Sequence, residues 1–186
     1  MKKLKKKLIP GVIWITGLSG SGKTTLSKMF YKYLKKNCYN NVKWLDGDKF
    51  RKKLKKSSKN EFSLKSRINL GKRYSKYASD YEKKGYLVVV SVIAMAEKIY
   101  KLNRKLIKNY HEIFLDVPLK ELKKRDPKKI YYNFKIGKIR NVTGLDLKYD
   151  KPLYPEKIIK WNKKLSRFDV FKIIKNYFIH HYISKN

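Results

Sequence analysis

Acidic residues are scarce in this chain: 14 Asp and Glu stand against 49 Lys and Arg, a formal net charge of +35. Such a surplus points to an anionic partner. The chain has no zinc-finger spacing, no aromatic RNA-binding signature and no basic zipper. Its basic residues, mostly Lys, run along the whole length rather than in one block. The charge therefore reads as a solvated surface whose field attracts anionic nucleotides, and no specific nucleic-acid binding is expected. Cysteine is nearly absent. The lone Cys38 excludes an internal disulfide, and nothing around it has metal-site spacing. His111, His180 and His181 have no triad or metal partners either. No long uncharged apolar run occurs, which excludes a transmembrane helix and membrane insertion. The opening "MKKLKKKLIPG" is basic, but its apolar part is too short for a secretory signal. The expected location is cytoplasmic.

What is present is an alternation of strand and helix patterns. A chain of 186 residues that is 42% hydrophobic can build one domain, 1–186, with a sizeable core. "VIWIT" at 12–16 is a continuous apolar run, as in a parallel strand buried on both faces. Leu26, Met29, Phe30, Tyr33 and Leu34 then recur at helical spacing. "VKWLD" at 42–46 reads as a second strand and "LVVVSVI" at 87–93 as the clearest one. Between them, Ser63 is placed to cap a long helix reaching residue 84, with Gly85 as its stop. A further helix is expected near 96–108, a strand at 112–117, a short helix at 119–124 and another near Tyr131. A last short strand in "EKIIKW" and a closing helix at 168–182 complete the chain. The weakly periodic, basic stretch 126–154 reads as a mobile excursion. The class is α/β with a mainly parallel sheet.

Directly after the first strand comes "GLSGSGKTT": Gly17, Leu18, Ser19, Gly20, Ser21, Gly22, Lys23, Thr24 and Thr25. It matches G-x-x-x-x-G-K-[ST] between a buried strand and a helix. Glycines let backbone N–H groups turn toward phosphates, and the helix N-terminus adds its positive end. Lys23 is expected to bridge the outer phosphates and Thr24 to ligate Mg²⁺. Nucleoside-triphosphate binding follows, but not the acceptor. The second strand ends in "LDGDKFR", residues 45–51. Asp46 and Asp48 belong at strand C-termini, where an open parallel sheet forms its ligand crevice. Either carboxylate can take a proton from an acceptor hydroxyl or orient Mg²⁺, and Arg51 can hold an anion.

With these two elements, "FSLKSR", "RDPKKIY" and "GKIRNVTGLD" make the chain resemble the adenylylsulfate (APS) kinase family from about residue 11 to 159. The resemblance implies a three-layer P-loop NTPase-type fold with helices on both faces of the sheet and a lid over about 126–154. It also implies ATP and Mg²⁺ as cofactors, a homodimer, and phosphorylation of the 3′-hydroxyl of adenosine 5′-phosphosulfate in sulfate assimilation. By position, Asp48 becomes the general base, and Asp46 supports Mg²⁺ or the acceptor. Arg51 and Arg67 hold the phosphosulfate, Phe62 stacks on the acceptor base, and Ile93, Val142 and Thr143 line that site.

Departures from the family pattern cluster on the acceptor side. Lys49 stands for the Asn after D-G-D. Leu70 stands where a helix Asn is expected, with Asn69 beside it. "IAMAE" replaces I-S-P-x-R, so Ala94, Met95 and Glu97 take the Ser, Pro and Arg places. Val142 takes the place of the lid Phe. The triphosphate side is nearly intact. A different nucleotide acceptor, such as a cytidine-diphosphate derivative of surface polysaccharide modification, is therefore the alternative to APS. A nucleic-acid-associated ATP switch is the remote one. Asp116, at a strand end, is expected to be structural. Arg125 is expected to stack on the ATP base, clamp phosphates or simply be solvated. Tyr74, Tyr77 and Tyr81 share a helix face and read as core or dimer packing.

Overall fold

The computed structural model describes residues 8–37, 39–53 and 63–183. In chain order the elements are β1 (Gly11–Thr16), α1 (Lys23–Lys36), β2 (Val42–Asp46), α2 (Gly47–Lys53), α3 (Leu64–Lys83) and β3 (Leu87–Ser91). They continue with α4 (Glu97–Leu106), β4 (Tyr110–Asp116), α5 (Leu119–Arg125), α6 (Ile130–Lys135), β5 (Lys157–Lys160) and α7 (Arg167–Tyr182). The five strands form one parallel sheet in the order β2-β3-β1-β4-β5. Parallel neighbours need crossovers, and the helices supply them on both faces.

β1 shows why its run is apolar throughout. Ile13 and Ile15 face one core with Leu26, Phe30 and Phe178, under α1 and α7. Val12 and Trp14 face another with Tyr74, Ala78 and Ile99, under α3 and α4. All six residues of the strand are buried. Ser63 caps α3 by accepting from Ser66 N at 3.3 Å, and Gly85 follows the helix at φ +81°, as the sequence suggests. α7 opens with a Ser166–Asp169 capping box. No helix among the described residues is long and apolar enough to cross a membrane.

β3 stops at Ser91, short of the expected 93, so Ile93 lies in the loop beyond the strand. "GDKFRKK", where no element is expected, forms helix α2. Segment 126–154 packs on the body. A third core gathers Tyr131 and Val142 from that segment with Leu18, Met95, Tyr100, Phe114 and Leu122. Tyr131 Oη also donates to Ser19 O at 2.9 Å, and Asp146 accepts from Asn141 N and Val142 N at 2.8 and 2.6 Å.

The return of this segment is fastened to α4. Asp150 accepts from Glu97 N at 2.8 Å, and Tyr100 Oη donates to Asp150 O at 2.9 Å. Arg104 donates to Tyr154 O and pairs with Glu156 at 3.1 Å and with Glu112 at 3.4 Å. Burial pushes the Glu112 carboxyl up to about 7; the Arg104 charge opposes this, and the Glu156 charge adds to it. A carboxyl raised in the folded state stabilises below its ordinary pKa and loses that contribution as pH rises through about 7. Glu112→Gln should therefore gain on the wild type in melting temperature between pH 5 and 8, by roughly 2–4 °C per kcal/mol removed. Parallel melting curves for the two proteins would discard this account of Glu112.

Candidate active site

The phosphate loop joins β1 to α1. Gly17 has φ +149° and Gly22 has φ +97°, backbone that L side chains rarely adopt. A Cβ on Gly17 would also meet Leu115 O at 2.8 Å. The loop thus needs glycine for conformation at both positions and for space at Gly17. Gly22 precedes the first turn of α1 without a side-chain cap, leaving that end to an anion. Lys23 is buried, and its ammonium curls back into the loop. Nζ donates to Leu18 O at 2.7 Å and to Ser21 Oγ at 3.4 Å. Burial pushes this ammonium down to about 7. Lys128 pushes it the same way, while Asp48 and Asp46 oppose.

Asp46 ends β2 and is buried. It accepts from Thr24 Oγ1 at 2.9 Å, Ser91 Oγ at 3.3 Å and Lys49 N at 3.1 Å. Thr24 and Asp46 together present adjoining hard oxygen donors at the loop. Mg²⁺ prefers one or two such protein groups and takes its other oxygens from phosphates and water. Among the described residues no cluster of three His, Cys, Asp or Glu offers an all-protein cage instead. The pair fits Mg²⁺ bound with a nucleotide.

Asp48 lies in the first turn of α2 and is exposed. Lys128, from the segment over the loop, donates to its Oδ2. Partial burial pushes the Asp48 carboxyl up, but the Lys128 bond and the charges of Lys128, Arg51 and Lys23 carry it below the usual carboxylate range. Lys128 was not visible as a site residue in a chain so rich in Lys. Arg67, on α3, donates to Asn141 O at 2.8 Å. Burial and the Arg51 charge together bring its guanidinium down to about 10, against the opposing pull of Asp146 and Tyr74. Two guanidiniums close enough to repel each other, one of them acting on Asp48, suit an anionic ligand. Phe62 lies outside the described residues.

Ile93 and Thr143 line a small cavity of about 20 Å³ with Arg67, Ala94, Met95 and Ala96. Thr143 Oγ1 is buried there without a hydrogen-bond partner. Val142 is buried in the third core, which also holds Met95, and does not line that cavity. Leu70, at the family's Asn place, packs on the α3–α4 core, and Asn69 is exposed. On the other side of β1, a cavity of about 290 Å³ runs from Gly22 and Thr25 to Leu115, Arg125 and Trp161. Arg125 sits 4.4 Å over the Trp161 ring. Asp116 takes an ion pair from Lys151 at 3.3 Å, and Tyr74 is buried with its hydroxyl on Gly47 O at 3.0 Å.

The family model described as adenylylsulphate kinase matches residues 9–160. A cytidine diphosphoramidate kinase of Campylobacter jejuni is 39% identical, covering 77% of this chain and 82% of that one. A probable adenylyl-sulfate kinase of Archaeoglobus fulgidus is 37% identical, covering 82% and 96%. The Mycobacterium tuberculosis APS kinase CysC in complex with AMPPNP and APS superposes with a TM-score of 0.80 at 29% identity, covering 91% and 98%.

Proposed function

The chain belongs to the adenylylsulphate kinase family and is a kinase-type phosphotransferase; from that premise we propose that it moves the γ-phosphoryl group of ATP to a ribose hydroxyl of a nucleotide whose 5′ end carries an anionic two-unit group. Loop amides of 17–25 and Lys23 hold the triphosphate, and Arg125 attends its base. Mg²⁺, held by Thr24 and Asp46, supplies neutralisation of phosphate charge when bound. Arg51 and Arg67 grip the anionic end of the acceptor, and Asp48 receives or orients its hydroxyl once Lys128 releases it. Segment 126–154 keeps water out, so the phosphoryl group reaches the acceptor instead of water. The subunits are read as a homodimer on family grounds.

For the acceptor, cytidine diphosphoramidate is our first reading and APS the second. What supports this order is the 39% identity to a cytidine diphosphoramidate kinase, together with the place of Met95 and Val142 in one buried core. In the family pattern these places hold Pro and Phe, so both departures fall within that core. APS is supported by the retained Arg51, Arg67 and phosphate loop. The test is ADP release with each acceptor, in wild type and Val142→Phe. On the first reading wild type prefers the cytidine compound by roughly 10- to 100-fold in kcat/KM. Val142→Phe lowers that activity, because overpacking a filled core costs ~1–3 kcal/mol. Preference for APS in wild type, with a lower KM for APS in Val142→Phe, would reverse the order.

A further inference from the structure

Arg125 is the last residue of α5 and exposed, and it makes no ion pair among those of the described residues. The cavity of about 290 Å³ that it lines contains no acidic residue. An exposed guanidinium with no carboxylate partner samples many rotamers, and a base gains little from stacking on a plane that wanders. Here the guanidinium lies 4.4 Å over the indole of Trp161. That indole is half-buried, and its backbone is fixed by Trp161 N donating to Asp116 O at 2.9 Å, which continues the β4–β5 pairing. Ile159, two residues earlier, is buried in the core under α7. Trp161 therefore rides on the rigid sheet, while Arg125 stands at the entrance of segment 126–154.

We propose that Trp161 is a positioning residue for the phosphoryl donor: it holds the Arg125 guanidinium flat, so that the free face of Arg125 becomes the stacking wall for the donor's base. The inference rests on the donor reading above and adds a residue to it. The cavity is also lined by the apolar side chains of Leu26, Leu115, Val117 and Ile159. A flat cation in a cavity with apolar lining offers a slot for an aromatic ring, and stacking there needs no edge recognition. The phosphate end of the same cavity opens on Gly22 and Thr25, so base and triphosphate are continuous.

The test is calorimetric binding of ATP without any acceptor, followed by kinetics. Trp161→Ala should weaken ATP binding by roughly 5- to 150-fold, the range for losing one stacking contact. KM for ATP should rise accordingly, with kcat within about twofold. Trp161→Phe should restore most of the affinity. Inorganic tripolyphosphate, which has no base, should compete equally well against wild type and Trp161→Ala. In an Arg125→Ala background, adding Trp161→Ala should change little, because the indole acts through the guanidinium. Unchanged ATP affinity in Trp161→Ala, an equal loss for tripolyphosphate, or additive losses with Arg125→Ala would each overturn the proposal. Failure of the wild type itself to bind ATP is a separate result, seen before any variant is compared, and it sinks the donor reading beneath it.

Discussion

Lys23→Ala abolishes phosphoryl transfer and leaves the fold standing. The expected loss is at least about 10³-fold, since the ammonium is the charge aimed at the transferring group. That charge is held against Leu18 O and Ser21 Oγ, partly stripped of water. Phosphate oxygens are better partners than a neutral carbonyl, so the lysine has a reason to turn outward when a nucleotide arrives. Removing it also removes a desolvated cation, which is why the melting temperature should not fall. The measurement is ADP release beside a thermal melt. A folded Lys23→Ala protein with near-wild-type turnover would end the phosphate-loop assignment.

Asp48→Asn lowers kcat by roughly 10²–10⁴, the usual range for a positioned acid–base group, with ATP affinity little changed. Asp46 is engaged three ways, by Thr24, Ser91 and the backbone of α2. Asp48 has an exposed carboxylate whose partner, Lys128, comes from the segment over the site. A lowered carboxyl pKa keeps Asp48 ionised at neutral pH, ready to accept a hydroxyl hydrogen. It is a weak base in this state, which suits a reaction where little proton transfer precedes bond breaking. If Asp46→Asn is crippled while Asp48→Asn keeps its kcat, the two roles are exchanged. Lower ATP affinity in Asp46→Asn alone would fit its place beside Thr24.

Local patterns foretold the parts of the fold that are local in origin. The apolar run of β1, the Ser63 cap and the Gly85 stop each act within a few residues, and each lies where the sequence places it. The phosphate loop was legible for the same reason. Helix α2 was not, because Asp and Gly at its start are turn formers and seven residues give little periodicity. Contacts between distant segments were also hidden. Met95 and Val142 look like two unrelated departures in sequence, and only the fold puts them in the same buried core. Lys128 was obscured by its many Lys neighbours, and Trp161 by its place at the end of a short strand reading. The packing of 126–154 against Leu18 and Tyr100 depends on a third core that no single segment announces.

The strand order carries a consequence for how such a protein can change. β1 lies in the middle of the sheet, with β3 and β2 on one side and β4 and β5 on the other. The larger cavity draws its walls from the ends of β4 and β5 and the start of α1. The smaller one draws its walls from the loop after β3, from α3 and from residues 143–148. On the proposed reading, which puts the donor in the larger cavity and the acceptor beside the smaller one, substitutions on one flank would be felt mainly by one ligand. A lineage could then exchange one acceptor for another by altering the β2–β3 flank while its intermediates still handled the same donor. Ala94, Met95 and Leu70 all lie on that flank.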